Sequence, residues 1–186
     1  MLPFTDVKDG DWFYDDVKYV YENGLMMGTG DTTFSPNVTT SRGMIVTILY
    51  RLEGEPAVSG NCPFSDVAAG AYYENAVIWA AANGIVSGYS NNKFGPNDSI
   101  TREQMVTILY RYANHKGYDV SVGEDTNILS FDDALSISEY AIPAFQWACG
   151  SGIINGTSTT TLSPKDNVTR AQAAAILHRF CELIEK

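Results

Sequence analysis

Three related segments follow one another along this chain, and that repetition constrains its fold more than any other feature. The first two align without a gap at an offset of 60, and Val-Thr-Ile-Leu-Tyr-Arg occurs identically at 46–51 and 106–111. The third starts 67 residues after the second and runs at an offset of 68 from its tryptophan onward. Recurrence at a fixed period is the signature of a module used several times. The repeats span 1–56, 57–117 and 118–186. A unit of about 50–60 residues has little core of its own and must bury its apolar face against its sisters, so the three are expected to form one domain.

Each unit opens with Phe-x-Asp, at Phe4/Asp6, Phe64/Asp66 and Phe131/Asp133, and the pattern then predicts a helix over 13–23, 73–83 and 139–151. Gly24, Gly84 and Gly152 fall where a left-handed residue closes the last turn. Tyr19, Trp79 and Trp147 share one position on these helices. The middle one, Glu74-Asn75-Ala76-Val77-Ile78-Trp79-Ala80-Ala81-Ala82, is rich in alanine, which permits close approach. These features predict an all-α fold, three helix-loop-helix repeats around a central bundle with one such helix from each.

A loop carrying Gly28/Gly88/Gly156, Phe34/Phe94/Leu162 and Pro36/Pro96/Pro164 joins the two helices of each unit. The second helix begins at Ser41-Arg42, Thr101-Arg102 and Thr169-Arg170 and runs to about 53, 114 and 184. Thr101 with Gln104, and Thr169 with Gln172, have the spacing of capping boxes. Met44 stands where the first box would need its Gln, so that helix start is expected to be the weakest. The linker at 53–63 is short and turn-rich, while 115–130 is longer, polar and expected on the surface.

With Ser41, Thr101 and Thr169 as N-caps, Arg42, Arg102 and Arg170 occupy the first helical position. A cation there opposes the helix dipole, at a cost of about 0.3–1 kcal/mol. An anion lodged at each helix start, gripped by free backbone N–H groups and the guanidinium fork, would offset that cost. The competing structural reading pairs each arginine with a protein carboxylate, Asp6, Asp66 and Asp133 being the obvious partners. The second recurrent set, Arg51/Arg111/Arg179, lies near the other end of the helix, where a cation complements the dipole, and reads as structural.

Trp12, Tyr72 and Tyr140 align at the start of the first helix and either present a face to a sugar ring or form the edge of the core. Asp31 and Asp98 lack the ligand spacing of a calcium loop, and His115 and His178 have no repeat-related partner. Cys62, Cys149 and Cys181 follow no metal-binding pattern and read as incidental thiols, a Cys149–Cys181 bridge being geometrically open but unsupported. No nucleophile–base arrangement, phosphate loop or recurring pair of acids is present, so no catalysis, cofactor or metal is expected.

The formal charge of −10 argues against a nucleic-acid partner, though a few placed arginines act locally whatever the distant charge. No apolar run approaches the roughly 20 residues that span a bilayer. Met1-Leu2-Pro3 runs straight into the first repeat with no leader pattern, which reads as a piece of a larger protein.

The order Phe-x-Asp-Val, aromatic, helix, Asn-Gly-Ile-Val-x-Gly, Phe-x-Pro, Ile-Thr-Arg-Glu-Gln resembles the S-layer homology repeat of bacterial cell-surface proteins. The second repeat is the clearest copy, with Asn83-Gly84-Ile85-Val86-Ser87-Gly88 and Ile100-Thr101-Arg102-Glu103-Gln104. The resemblance implies a pseudo-threefold helical domain outside the cell, non-covalently anchoring a larger protein to an anionic secondary cell-wall polysaccharide, often pyruvylated, in grooves between repeats. It implies that the arginine of the family's Thr-Arg-Ala-Glu motif, here Arg42, Arg102 and Arg170, contacts the ketal carboxylate. Because the motif becomes Ser-Arg-Gly-Met at 41–44, unequal grooves are expected, with that of Arg102 the best formed and that of Arg42 in doubt. The alternatives are a self-assembly module for protein–protein contacts at the cell surface and the anchoring fragment of a wall-associated hydrolase.

Overall fold

The computed structural model describes residues 1–185, and their six α-helices fall where the periodicity places them. In chain order these are α1 (Tyr14–Glu22), α2 (Arg42–Leu52), α3 (Glu74–Ala82), α4 (Arg102–Lys116), α5 (Ile142–Gly150) and α6 (Arg170–Ile184). The fold is all-α, with isolated bridges but no strand among the described residues. Gly24, Gly84 and Gly152 follow the first helices at φ of 69°, 69° and 76°, the left-handed backbone that closes each last turn. The third first-helix is shorter than expected. Pro143 lies in its first turn and has no N–H to bond back to residue 139, so Glu139–Ala141 winds as a 3-10 turn instead.

Helices pair across repeats: α2 packs on α3, α4 on α5, and α6 returns to α1. The same aromatic contact recurs at each seam. Tyr50 meets Trp79 at 5.6 Å between ring centroids, Tyr110 meets Trp147 at 5.7 Å, and His178 stacks on Tyr19 at 4.1 Å. Tyr19, Trp79 and Trp147 thus share an environment, but it is the seam between units. A central bundle of first helices is not what the contacts show, since each packs on a second helix, α1 on α6, α3 on α2 and α5 on α4. Most of α2 is buried, and the buried residues of α4 and α6 span nearly their whole lengths, whereas α1 buries only Val17 and Val20. Among the α-helices each first helix packs on one second helix, although α3 buries Ala76 through Ala80 in an unbroken run.

The segments leading into the second helices meet in a closed cycle of backbone hydrogen bonds. Thr40 N–H donates to Val168 O (2.8 Å), Val168 N–H to Ile100 O (2.9 Å), and Ile100 N–H to Thr40 O (2.8 Å). Ser41, Thr101 and Thr169 are N-caps as expected, each accepting from the N–H three residues on, and the reciprocal glutamine bond is made at α4 and α6 but not at α2.

The linker at 115–130 is more than surface coil. Its 3-10 turn Ser121–Asp125 packs on α5, where Gly123 is buried against the Trp147 backbone so closely that a Cβ would stand 2.9 Å from Trp147 N. All three cysteines are free, and burial pushes the Cys149 and Cys181 thiols up to about 11.

Candidate functional site

The helix starts do not offer the open anion cradle expected from the sequence. The first two N–H groups of each second helix donate to loop carbonyls of the next repeat in the cycle. Arg42 and Gly43 bond Asp98 O and Pro96 O, Arg102 and Glu103 bond Asp166 O and Pro164 O, and Arg170 and Ala171 bond Val38 O and Pro36 O, at 2.8–3.0 Å. The third donor is taken by the Ser41, Thr101 or Thr169 hydroxyl at 3.2, 3.3 and 3.2 Å. The loop that plugs each seam satisfies the orphan donors that a ligand would otherwise take.

The three arginines are buried, at 6%, 5% and 3% exposure for Arg42, Arg102 and Arg170. None forms an ion pair with Asp6, Asp66 or Asp133; among the described residues the ion pairs involve lysine or histidine only. Each guanidinium instead donates its Nε–H to a carbonyl of the next repeat, Arg42 to Phe94 O (2.9 Å), Arg102 to Leu162 O (2.8 Å) and Arg170 to Phe34 O (2.7 Å). The aspartates hold the same loops from within their own repeats. Asp6 accepts from the N–H groups of Phe34 and Ser35, Asp66 from Phe94 and Gly95, and Asp133 from Leu162 and Ser163, at 2.7–2.9 Å. Burial raises the Asp66 pKa, but the two backbone donors outweigh it and leave the value below the usual range.

Two grooves open beside these arginines. One, of about 440 Å³, is lined by Arg42, Tyr89, Gln104, Arg111 and Tyr140, with Ser87 and Gly88 on its wall. The other, of about 280 Å³, is lined at equivalent positions by Arg102, Thr157, Gln172, Arg179 and Trp12, with Asn155 and Gly156 on its wall. Each groove therefore draws on all three repeats: the buried arginine from one, the loop and second helix from the next, the aromatic from the third. Tyr140 is half-exposed at 50% and Trp12 more so at 65%, placing both rings where a sugar could lie on them.

Among the described residues neither groove arginine is in ion-pair contact with a carboxylate. Arg42 makes no side-chain bond beyond its Nε–H, and its guanidinium lies 4.8 Å from the Tyr89 and Phe94 ring centroids. Arg102 adds one bond, Nη2 to Asn155 O at 2.9 Å. Burial lowers the pKa of all three arginines, with nearby acids opposing the effect for each. A buried cation hydrogen-bonded only to neutral carbonyls, with its nearest acids outside ion-pair contact, favours an anion in the adjoining space.

The arginines set aside as structural, Arg111 and Arg179, are the second cation of each groove. Neither has a side-chain partner among the described residues, whereas Arg51 donates to Leu25 O at 3.2 Å. Their signal was in the spacing: Gln104, Thr107, Ile108 and Arg111 sit at i, i+3, i+4 and i+7, one face of α4. The groove of Arg42, expected to be in doubt from the departing motif, is well formed in volume. Arg42 borders the larger one, because the Ser-Arg-Gly-Met motif is divided between two grooves, Arg42 facing one and Met44 contacting Arg170 in another.

Glu103 has no counterpart, since Gly43 and Ala171 hold the equivalent places. Its carboxylate accepts from Ser138 N–H (3.0 Å), Ser138 Oγ (2.8 Å), Tyr140 Oη (3.2 Å) and Lys165 Nζ (2.7 Å). Burial raises the Glu103 pKa, and these donors bring it below the usual range. Burial and Glu103 together push the Tyr140 phenol up to about 12.

Helical repeats thus close on one another and leave grooves at the surface between them. The model of the S-layer homology domain matches residues 3–43, 63–106 and 130–174, and the chain belongs to that family. It is 35% identical over 95% of its length to an endoglucanase of Bacillus sp. (strain KSM-635), of which it covers 18%. It is 36% identical over 96% of its length to an amylopullulanase of Thermoanaerobacterium thermosulfurigenes, covering 9% of that protein. A surface-layer 125 kDa protein of Lysinibacillus sphaericus is 29% identical over 91% of the chain, which covers 14% of it. The chain thus spans less than a fifth of these curated relatives, and what enzymes and surface-layer proteins share with it is the anchoring part. It is a non-catalytic cell-wall anchoring module acting at the bacterial cell surface. Among the described residues no helix is long and apolar enough to cross a membrane.

Proposed function

We propose that the module captures an acidic secondary cell-wall polysaccharide, reversibly and without chemistry, in the grooves of Arg42 and Arg102. The carboxylate of a pyruvyl ketal lies between the paired arginines, Arg42 with Arg111 and Arg102 with Arg179. The sugar ring rests on Tyr140 or Trp12, while Gln104 or Gln172 bonds its hydroxyls. Ser41, Thr101 and Thr169 keep the helix starts in place, and Asp6, Asp66 and Asp133 keep the loops in place, without meeting the ligand. Tyr72 is the equivalent aromatic of the third groove. A larger surface protein is the cargo.

The observation that carries this reading is the pair of buried arginines without a carboxylate, each opening on a groove that holds a second unpartnered arginine. Hydrogen bonds to a charged group contribute about 1.5–3 kcal/mol each, and two guanidinium groups around one carboxylate supply several. Co-sedimentation with purified wall polymer tests it. Retention is expected on native polymer and is expected to be lost once mild acid has removed the pyruvyl ketals; equal retention on both would overturn the role given to the carboxylate.

A further inference from the structure

Repeat equivalence assigns Met27, Gly28, Met44, Thr47, Arg51 and Tyr72 to a third groove at Arg170, being the counterparts of residues that line the other two. Its polar wall has been exchanged for thioethers. Met44 replaces Gln104 and Gln172, and Met27 replaces Ser87 and Asn155. The guanidinium is also engaged on every side. Nε bonds Phe34 O at 2.7 Å, Nη2 bonds Met27 O at 2.6 Å, and Nη1 lies 3.1 Å from Met44 Sδ. Arg102, with the same two carbonyl bonds, has nothing on Nη1. Thr47, Arg51 and Tyr72 do line a cavity of about 580 Å³, but Arg170 is not on its wall.

We infer that Met44 closes the Arg170 groove, so that this chain is a two-site anchor carrying a latent third site. The inference rests on the ligand class proposed above. A carboxylate entering here must displace the sulfur from Nη1. It then leaves water for a wall where two thioethers stand in place of the side chains that would bond its sugar hydroxyls, a loss that polar groups recover only where partners exist. Arg51, the second cation of this groove, is bonded to Leu25 O and adds to the difference. Gln at position 44 would restore both the polar wall and the capping box that α4 and α6 possess, so Met44→Gln is compatible with the fold.

The test is calorimetric titration with a methyl glycoside of a pyruvylated hexosamine, reading the number of sites per chain. The wild-type chain is expected to bind two and Met44→Gln three, while Met44→Gln combined with Arg51→Gln returns to two. Three sites in the wild type, or two in Met44→Gln with its fold retained by circular dichroism, would overturn the inference while leaving the ligand class intact. No binding by any variant would overturn the ligand class itself, and the inference with it.

Discussion

Asp66 and Arg42 hold one residue from opposite ends: Asp66 accepts the Phe94 N–H at 2.8 Å, and Arg42, from the preceding repeat, donates to the Phe94 carbonyl at 2.9 Å. The two charges do not touch, yet the peptide between them couples the opening motif of one unit to the helix start of another. Asp133 and Arg102 hold Leu162 in the same way, and Asp6 and Arg170 hold Phe34. Replacing Asp66 by Asn leaves one of two backbone N–H groups facing an amide donor, with an expected loss of about 1–3 kcal/mol in urea unfolding.

The same carboxylate sets a pH dependence. The Asp66 and Glu103 pKa values are depressed in the fold, so the stability they contribute is present above the unfolded values of about 4 and is lost as pH falls through the lower folded values. Melting temperature is expected to hold steady from neutral pH to about 5 and then drop. Asp66→Asn should flatten that drop; an unchanged acid slope in the variant would contradict the assignment.

The two classes of arginine should separate cleanly. Arg111→Gln and Arg179→Gln remove cations that the protein does not use, so each is expected to weaken polymer binding by roughly tenfold or more while changing stability by less than about 0.5 kcal/mol. Arg102→Ala strips two inter-repeat carbonyls of their donor and should cost about 1–3 kcal/mol of stability as well as binding. Chemical unfolding alongside co-sedimentation distinguishes the two.

Glu103 acts on a groove through a ring. Glu103→Gln weakens the hold on Tyr140 and Ser138, and should lower affinity at the Arg42 groove while leaving the Arg102 groove unchanged. Titration of single-groove variants, with Arg179→Gln silencing one and Arg111→Gln the other, checks this. Equal losses in both backgrounds would make Glu103 a general stabiliser instead.

The units, their helices and their caps were legible because they depend on local chemistry. Periodicity places α1 through α6, Thr-x-x-Gln announces two capping boxes, and Gly24, Gly84 and Gly152 mark three helix ends. Arg42, Arg102 and Arg170 were legible as oddities of helix polarity. What surrounds them was not. That Pro96 O and Asp98 O would fill the donors of α2, or that Met44 would meet Arg170, depends on which repeat follows which around the ring, and this is a long-range choice that no window of sequence contains. That Arg111 and Arg179 border the grooves was not legible for a related reason. The dipole argument explains why a cation is tolerated near a helix C-terminus, but says nothing about which groove its face borders.

The cycle through Thr40, Val168 and Ile100 has a counting consequence. Each of the three segments gives one hydrogen and takes one, so they satisfy each other with none left over. Removing one repeat from the existing three would leave one N–H and one carbonyl of the cycle without their present partners. The three repeats are thus interlocked through their main chains, while the grooves differ in their side chains.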